Sequence, residues 1–139
     1  MSFYILLAAI SFCMFMSIRT LFAPEHENEK RVSLENLLWL AFLYGTIMIG
    51  FALIYLLFEL QNYSVILEHG KRVSGDFFKQ LVTASYFSTI TMFSVGYGDI
   101  VPIGLGRLFA VVQAFIGYTL PAAFVVRTVI DFENIDREG

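Results

Sequence analysis

The sequence predicts an all-α membrane protein in which a short re-entrant helix and an extended segment lie between two spanning helices. Three observations point there. The 139 residues are 58% hydrophobic and only 15% charged, against about a quarter charged in a typical soluble domain. Asp, Glu, Lys and Arg are all missing from residues 1–18, 36–58, 80–98 and 108–126, and each run approaches the roughly 20 residues a helix needs to cross hydrocarbon. The third run is interrupted by Gly96 and Gly98, so it cannot be one continuous crossing.

Taken in chain order, Ser2 to about Phe22 reads as a first helix, with Arg19 near its end where a long side chain can snorkel and Pro24 stopping it. It lacks the basic start and small-residue cleavage site of a signal peptide, so a retained helix is expected. It either spans, which puts the N-terminus outside, or lies along the inner interface; its near-uniform hydrophobicity favours spanning. Residues 24–33 are a polar connector, and Glu25, His26, Glu27 and Glu29 read there as solvated charges, with a cation or pH site as the alternative. Residues 1–33 thus form an extra N-terminal helix and connector. The apolar stretch 34–60 is an outer helix of roughly 40 Å at 1.5 Å per residue, with Ser33 as its expected N-cap. Residues 61–76 are polar, with Gly70 and Gly75 as breakers. Asp76 or Ser74 can cap a helix over 77–92, too short to cross. An inner helix over 104–132 and a polar tail over 133–139 complete the chain.

An extended segment at membrane depth cannot face lipid. Each unsatisfied backbone group would cost several kcal/mol there, so the segment must be enclosed by protein or line water. Its letters are Ser94-Val95-Gly96-Tyr97-Gly98-Asp99. Alternating left- and right-handed backbone conformations turn successive carbonyls to one side, and the left-handed positions favour glycine. Gly96 and Gly98 have that spacing. Val95 and Tyr97 would then pack behind the segment, and the Ser94 hydroxyl would add an oxygen at its inner end. The helix over 77–92 would aim its partly negative C-terminus at the same place.

Here the chain resembles the potassium-channel pore family, whose pattern is a pore helix, then T-V-G-Y-G-D, then an inner helix. The resemblance covers roughly 34–132 and includes the Gly106-Arg107-Leu108 start of the inner helix. It implies a homotetramer, because one chain cannot close a ring around an ion. It also implies a potassium-selective pore, with residues 94–99 as the selectivity filter on the outer side. Potassium would be held by Ser94, Val95, Gly96, Tyr97 and Gly98 as the permeant ion, with no other cofactor. On that reading residues 61–76 are an extracellular turret, and the connector and tail are cytoplasmic. Arg19, Lys30 and Arg31 agree with the positive-inside rule, while Lys71, Arg72 and Lys79 dilute the bias. The chain would be a multi-pass protein of the cell membrane.

Several residues depart from the family pattern or invite a role. Ser94 replaces the usual threonine, keeping the hydroxyl and losing a methyl, so the innermost site is looser. Met92 and Phe93 replace smaller residues, and Ile90 stands where some members place a carboxylate. Tyr86 is expected to donate a hydrogen bond to Asp99 from behind the filter. Gly117 and Pro121 lie four apart in the inner helix; Pro121 removes the bond to the carbonyl of residue 117, which suits either a gating hinge or a static kink. Arg127 either rings the cytoplasmic mouth, where it would repel cations, or faces outward and pairs with Asp131 or lipid phosphate. A net charge of −3 argues against nucleic acid as a partner, and Cys13 alone cannot form an intrachain disulfide. Nothing resembles a nucleophile triad, phosphate loop or metal cluster, so no enzyme is expected. The alternatives to a potassium channel are a weakly selective cation channel and a non-conducting accessory subunit.

Overall fold

Long apolar runs without breakers become long helices, and the glycines and prolines between them become turns. The computed structural model describes residues 2–22 and 34–138, with side chains described at 2–17, 19 and 37–126. Its elements are α1 (Ser2–Phe22), α2 (Leu34–Leu60), β1 (Ile66–Glu68), β2 (Lys71–Arg72), α3 (Phe77–Met92), β3 (Ile100–Pro102) and α4 (Leu105–Glu138). Among the described residues, two segments are long and apolar enough to cross a bilayer, Leu37–Leu60 and Leu105–Val126. The fold is that of an all-α membrane protein with two spanning helices around a re-entrant one. The connector, with His26 and its acidic neighbours, lies outside the described residues.

α1 lies antiparallel against α2. Phe3 meets Phe58 edge-on at 5.4 Å between ring centroids, and Met14 occupies the notch left by the missing side chain of Gly50. These two contacts run in opposite chain directions, so the start of α1 sits beside the end of α2.

α2 ends in a Schellman motif. Asn62 takes φ 57°, its amide donates to Glu59 O at 3.0 Å, and Tyr63 N–H reaches Phe58 O at 3.0 Å. Segment 61–76 is more than a polar loop. It supplies β1 and β2 to a three-stranded antiparallel sheet whose third strand is β3, in the order β2-β1-β3. His69 at φ 49° and Gly70 at φ 75° make the two-residue turn between β1 and β2, the pairing of positive φ values that hairpins of this length require. Glu68 pairs with Ile100 and Ile66 with Pro102.

Two helix ends depart from the sequence expectation, one in its cap and one in its position. Asp76 occupies the N-cap of α3 in extended conformation but makes no side-chain capping bond. α4 continues through the polar residues 133–138, because no glycine or proline occurs there to break it before Gly139.

Lipid tails are as apolar as leucine, so helices inside a bilayer are held mainly by close packing and interhelical hydrogen bonds. The core follows that rule. Ile47, Tyr55, Phe87, Met92 and Val65 are buried where α2, α3 and the sheet converge. A Cβ on Gly106 would strike the carbonyl of Val65, and one on Gly117 would strike the carbonyl of Met92. Glycine at these two positions lets α4 approach the sheet and the end of α3.

Candidate functional site

The last turn of α3 sets the start of the extended segment. Phe93 N–H donates to Thr89 O at 3.1 Å and Ser94 N–H to Thr91 O at 3.0 Å. Val95 N–H reaches Ile90 O at 2.8 Å, and Gly96 N–H shares that carbonyl at 3.4 Å. These bonds satisfy carbonyls that have no intrahelical partner at a C-terminus. They also point the chain away from the helix end, whose partial negative charge favours a cation nearby.

From that start the backbone alternates in handedness. Ser94 has φ 55°, Gly96 53° and Gly98 83°, with Val95 and Tyr97 between them outside the positive-φ region. This is the pattern that lets successive carbonyls face one side. Glycine was expected at the left-handed positions; Ser94 is a third such position, where a side chain costs about 1–2 kcal/mol. Residues 94–98 are all exposed on this chain. Val95 and Tyr97, expected to pack behind the segment, are 48% and 74% exposed. This chain alone does not supply their packing.

The outer end is held from three directions. The Tyr86 side chain lies close enough to Asp99 for the two to interact, while Asp99 Oδ1 is buried without a hydrogen-bond partner among the described residues. His69 N–H donates to Asp99 O at 2.9 Å, so the hairpin tip clasps the residue that ends the segment. β3 follows at once and pairs with β1. That sheet is in turn anchored by Glu59, buried at the end of α2, whose Oε1 accepts from Val65 N–H at 2.8 Å and Ile66 N–H at 3.1 Å.

The inner end meets α2 and α4. The Tyr44 hydroxyl donates to the carbonyl of Gly117, and the Tyr44 ring lies 5.7 Å from that of Phe93. Gly117 and Pro121 both lie within α4. The Arg127 side chain is outside the described residues. Sequence reasoning missed Tyr44, Glu59 and Gln113. The signals for them were a proline-freed carbonyl, a carboxylate at the edge of an apolar run, and an amide inside a charge-free helix.

Two spanning helices enclosing a short helix and a left-right alternating extended segment define the class: the pore domain of a membrane channel. The chain belongs to the ion channel family, whose sequence profile matches residues 45–134. It is similar to Protein LctB of Geobacillus stearothermophilus, 35% identical over 131 residues covering 94% of this chain and 98% of that protein. Protein LctB of Bacillus caldotenax matches with the same identity and coverage. No solved structure matches it.

Proposed function

We propose that the chain is one subunit of a homotetrameric, potassium-selective channel of the cell membrane, conducting K+ passively through a filter formed by Ser94, Val95, Gly96, Tyr97 and Gly98. The observation that carries this reading is the positive φ at Ser94, Gly96 and Gly98, which suits a column of carbonyls replacing the hydration shell of an ion. The tetramer is supported by what the single chain leaves open. Val95 and Tyr97 stand largely uncovered, and Val111, Phe115 and Tyr118 on α4 are each at least 67% exposed. Cyclic copies around the filter axis would cover such surfaces and close a ring of oxygens. Asp99, whose carbonyl accepts from His69 N–H and whose side chain lies near Tyr86, supports the outer mouth. α1 packs antiparallel to α2, so a crossing by it would put the N-terminus on the same side as the turret.

Reconstitution into liposomes with potassium and sodium flux measured separately tests the reading. Potassium flux well above sodium is expected. Equal fluxes would make the chain a weakly selective cation channel, and no flux from a folded tetramer at any potential would favour an accessory subunit.

A further inference from the structure

Gln113 lies in the middle of a charge-free stretch of α4 and is fully buried, as are Tyr55 on α2 and Ser88 on α3. The three side chains form one connected series of hydrogen bonds. The Tyr55 hydroxyl donates to Gln113 Oε1 at 3.0 Å. Gln113 Nε2 donates to Ser88 Oγ at 2.6 Å and to Ser88 O at 2.9 Å. Ser88 Oγ donates to Met48 O at 2.7 Å. The series leaves α2 at Tyr55, crosses α4 and α3, and returns to α2 two turns away at Met48. Both Nε2 protons are used, and each hydroxyl proton has an acceptor.

We propose that Gln113 is a positioning residue for the filter, fixing the height and rotation of α3 against both membrane helices through this circuit. The inference rests on the channel reading above and names a device within it. Ser88 immediately precedes Thr89, Ile90 and Thr91 in the chain. The carbonyls of those three residues hold the amides of Phe93, Ser94, Val95 and Gly96. A shift of α3 at Ser88 therefore moves the acceptors on which the filter hangs. Cohesion alone does not require the circuit, since leucine, phenylalanine and alanine would fill the same volume with no partner to satisfy. Apolar packing between smooth helices tolerates small slides, whereas directional bonds made from all three helices allow one register. A fully satisfied buried network is the arrangement that specifies position.

The test uses the full chain purified as its oligomer and reconstituted, in the triple variant Tyr55→Phe, Ser88→Ala, Gln113→Leu. This variant removes every member at once and leaves no polar side chain stranded. Two readouts are taken: the potassium-to-sodium permeability ratio from bi-ionic reversal potentials, and amide hydrogen exchange across residues 94–98. We expect the variant to assemble and melt like the unmodified protein. Its permeability ratio should fall about tenfold, and filter amides should exchange about tenfold faster, in the range by which such networks couple sites, with α2 unchanged. A normal ratio together with normal filter exchange would overturn the proposal. If the unmodified protein shows no preference for potassium, the channel reading fails as stated, and filter exchange alone judges the circuit. If the triple variant does not assemble, Tyr55→Phe, which leaves the Gln113–Ser88 bonds in place, carries the same two readouts with a smaller expected change, and no change in either would sink the idea.

Discussion

The Tyr44 hydroxyl donates to the carbonyl of Gly117, the group in α4 that Pro121 leaves without its helical donor. A proline has no N–H to give to the residue four back, and a bare carbonyl in an apolar interior costs about 1–3 kcal/mol. α2 supplies the missing donor from 73 positions away in the chain. α2 thereby holds α4 at its weakest point, directly beside the start of the extended segment 94–98.

A double-mutant cycle checks this. Tyr44→Phe should destabilise the purified oligomer by about 1–3 kcal/mol per chain, the cost of a stranded carbonyl. In a Pro121→Ala background residue 121 can donate to Gly117 itself, so the same change should cost under about 0.5 kcal/mol. Coupling of that sign, read from denaturant midpoints, is expected for contacting groups; simple additivity would mean that Tyr44 does not serve this carbonyl. Single-channel records of Tyr44→Phe then separate the two roles open to Gly117 and Pro121. A hinge gives an altered open probability, and a fixed kink gives none.

Gly117 itself has a packing reason to be glycine. A Cβ there would overlap the carbonyl of Met92, whereas one on Gly45 in α2 would meet nothing within 4 Å. Gly117→Ala should therefore lower stability by about 1–3 kcal/mol through overpacking, and push α4 away from the end of α3. Gly45→Ala, the same chemical change in another helix interior, should be neutral or stabilising by up to about 1 kcal/mol. Thermal unfolding of the two variants side by side measures the contrast. Equal effects would mean that propensity alone governs both positions.

The fold class was legible because its cause is coarse. Charge-free runs of spanning length and glycines at residues 96 and 98 are visible without any long-range information. The turret sheet was not. Strands of three, two and three residues are too short to show periodicity, and Lys71 and Arg72 read as solvated charge. Glu59 was obscure for a related reason: a carboxylate at the end of an apolar run looks like a helix end meeting water, and its partners Val65 and Ile66 come after an intervening turn. Gln113 carried a signal that went unused, since an uncharged amide within a charge-free stretch of spanning helix needs a buried partner. The partner itself, Ser88, lies on another element, and no local pattern connects the two. Glycine was assigned to the left-handed positions of the extended segment from its missing Cβ, and that argument cannot locate a left-handed serine.

Glu59 joins α2 to the sheet that includes β3, and its two acceptor bonds go to main-chain amides. Glu59→Gln retains a carbonyl oxygen that can accept both. It should cost only about 1 kcal/mol, the difference between charged and neutral acceptors. Glu59→Leu fills the space but strands two buried amides. It should cost about 2–5 kcal/mol on the same scale and speed hydrogen exchange at Val65, Ile66 and the paired strand β3 before α3 is affected. Equal loss in both variants would show that charge, not acceptance, is what the site needs.

Ser94 separates backbone from oxygen. Its φ of 55° is strained for any residue with a Cβ, while its hydroxyl is the only side-chain oxygen in residues 94–98 apart from the Tyr97 phenol. Ser94→Ala removes the oxygen and keeps the strain; Ser94→Gly removes both. If the hydroxyl serves the innermost ion, both variants should lower potassium conductance and the potassium-to-sodium ratio alike. Stability should divide them, with Ser94→Gly ahead of Ser94→Ala by about 1 kcal/mol per chain, the steric cost of a left-handed Cβ. Bi-ionic reversal potentials and thermal midpoints on the same preparations give both numbers. A conductance that tracked stability rather than the hydroxyl would move the role of Ser94 from binding the ion to shaping the backbone. A wild-type ratio in both variants would leave the innermost site to the carbonyls alone.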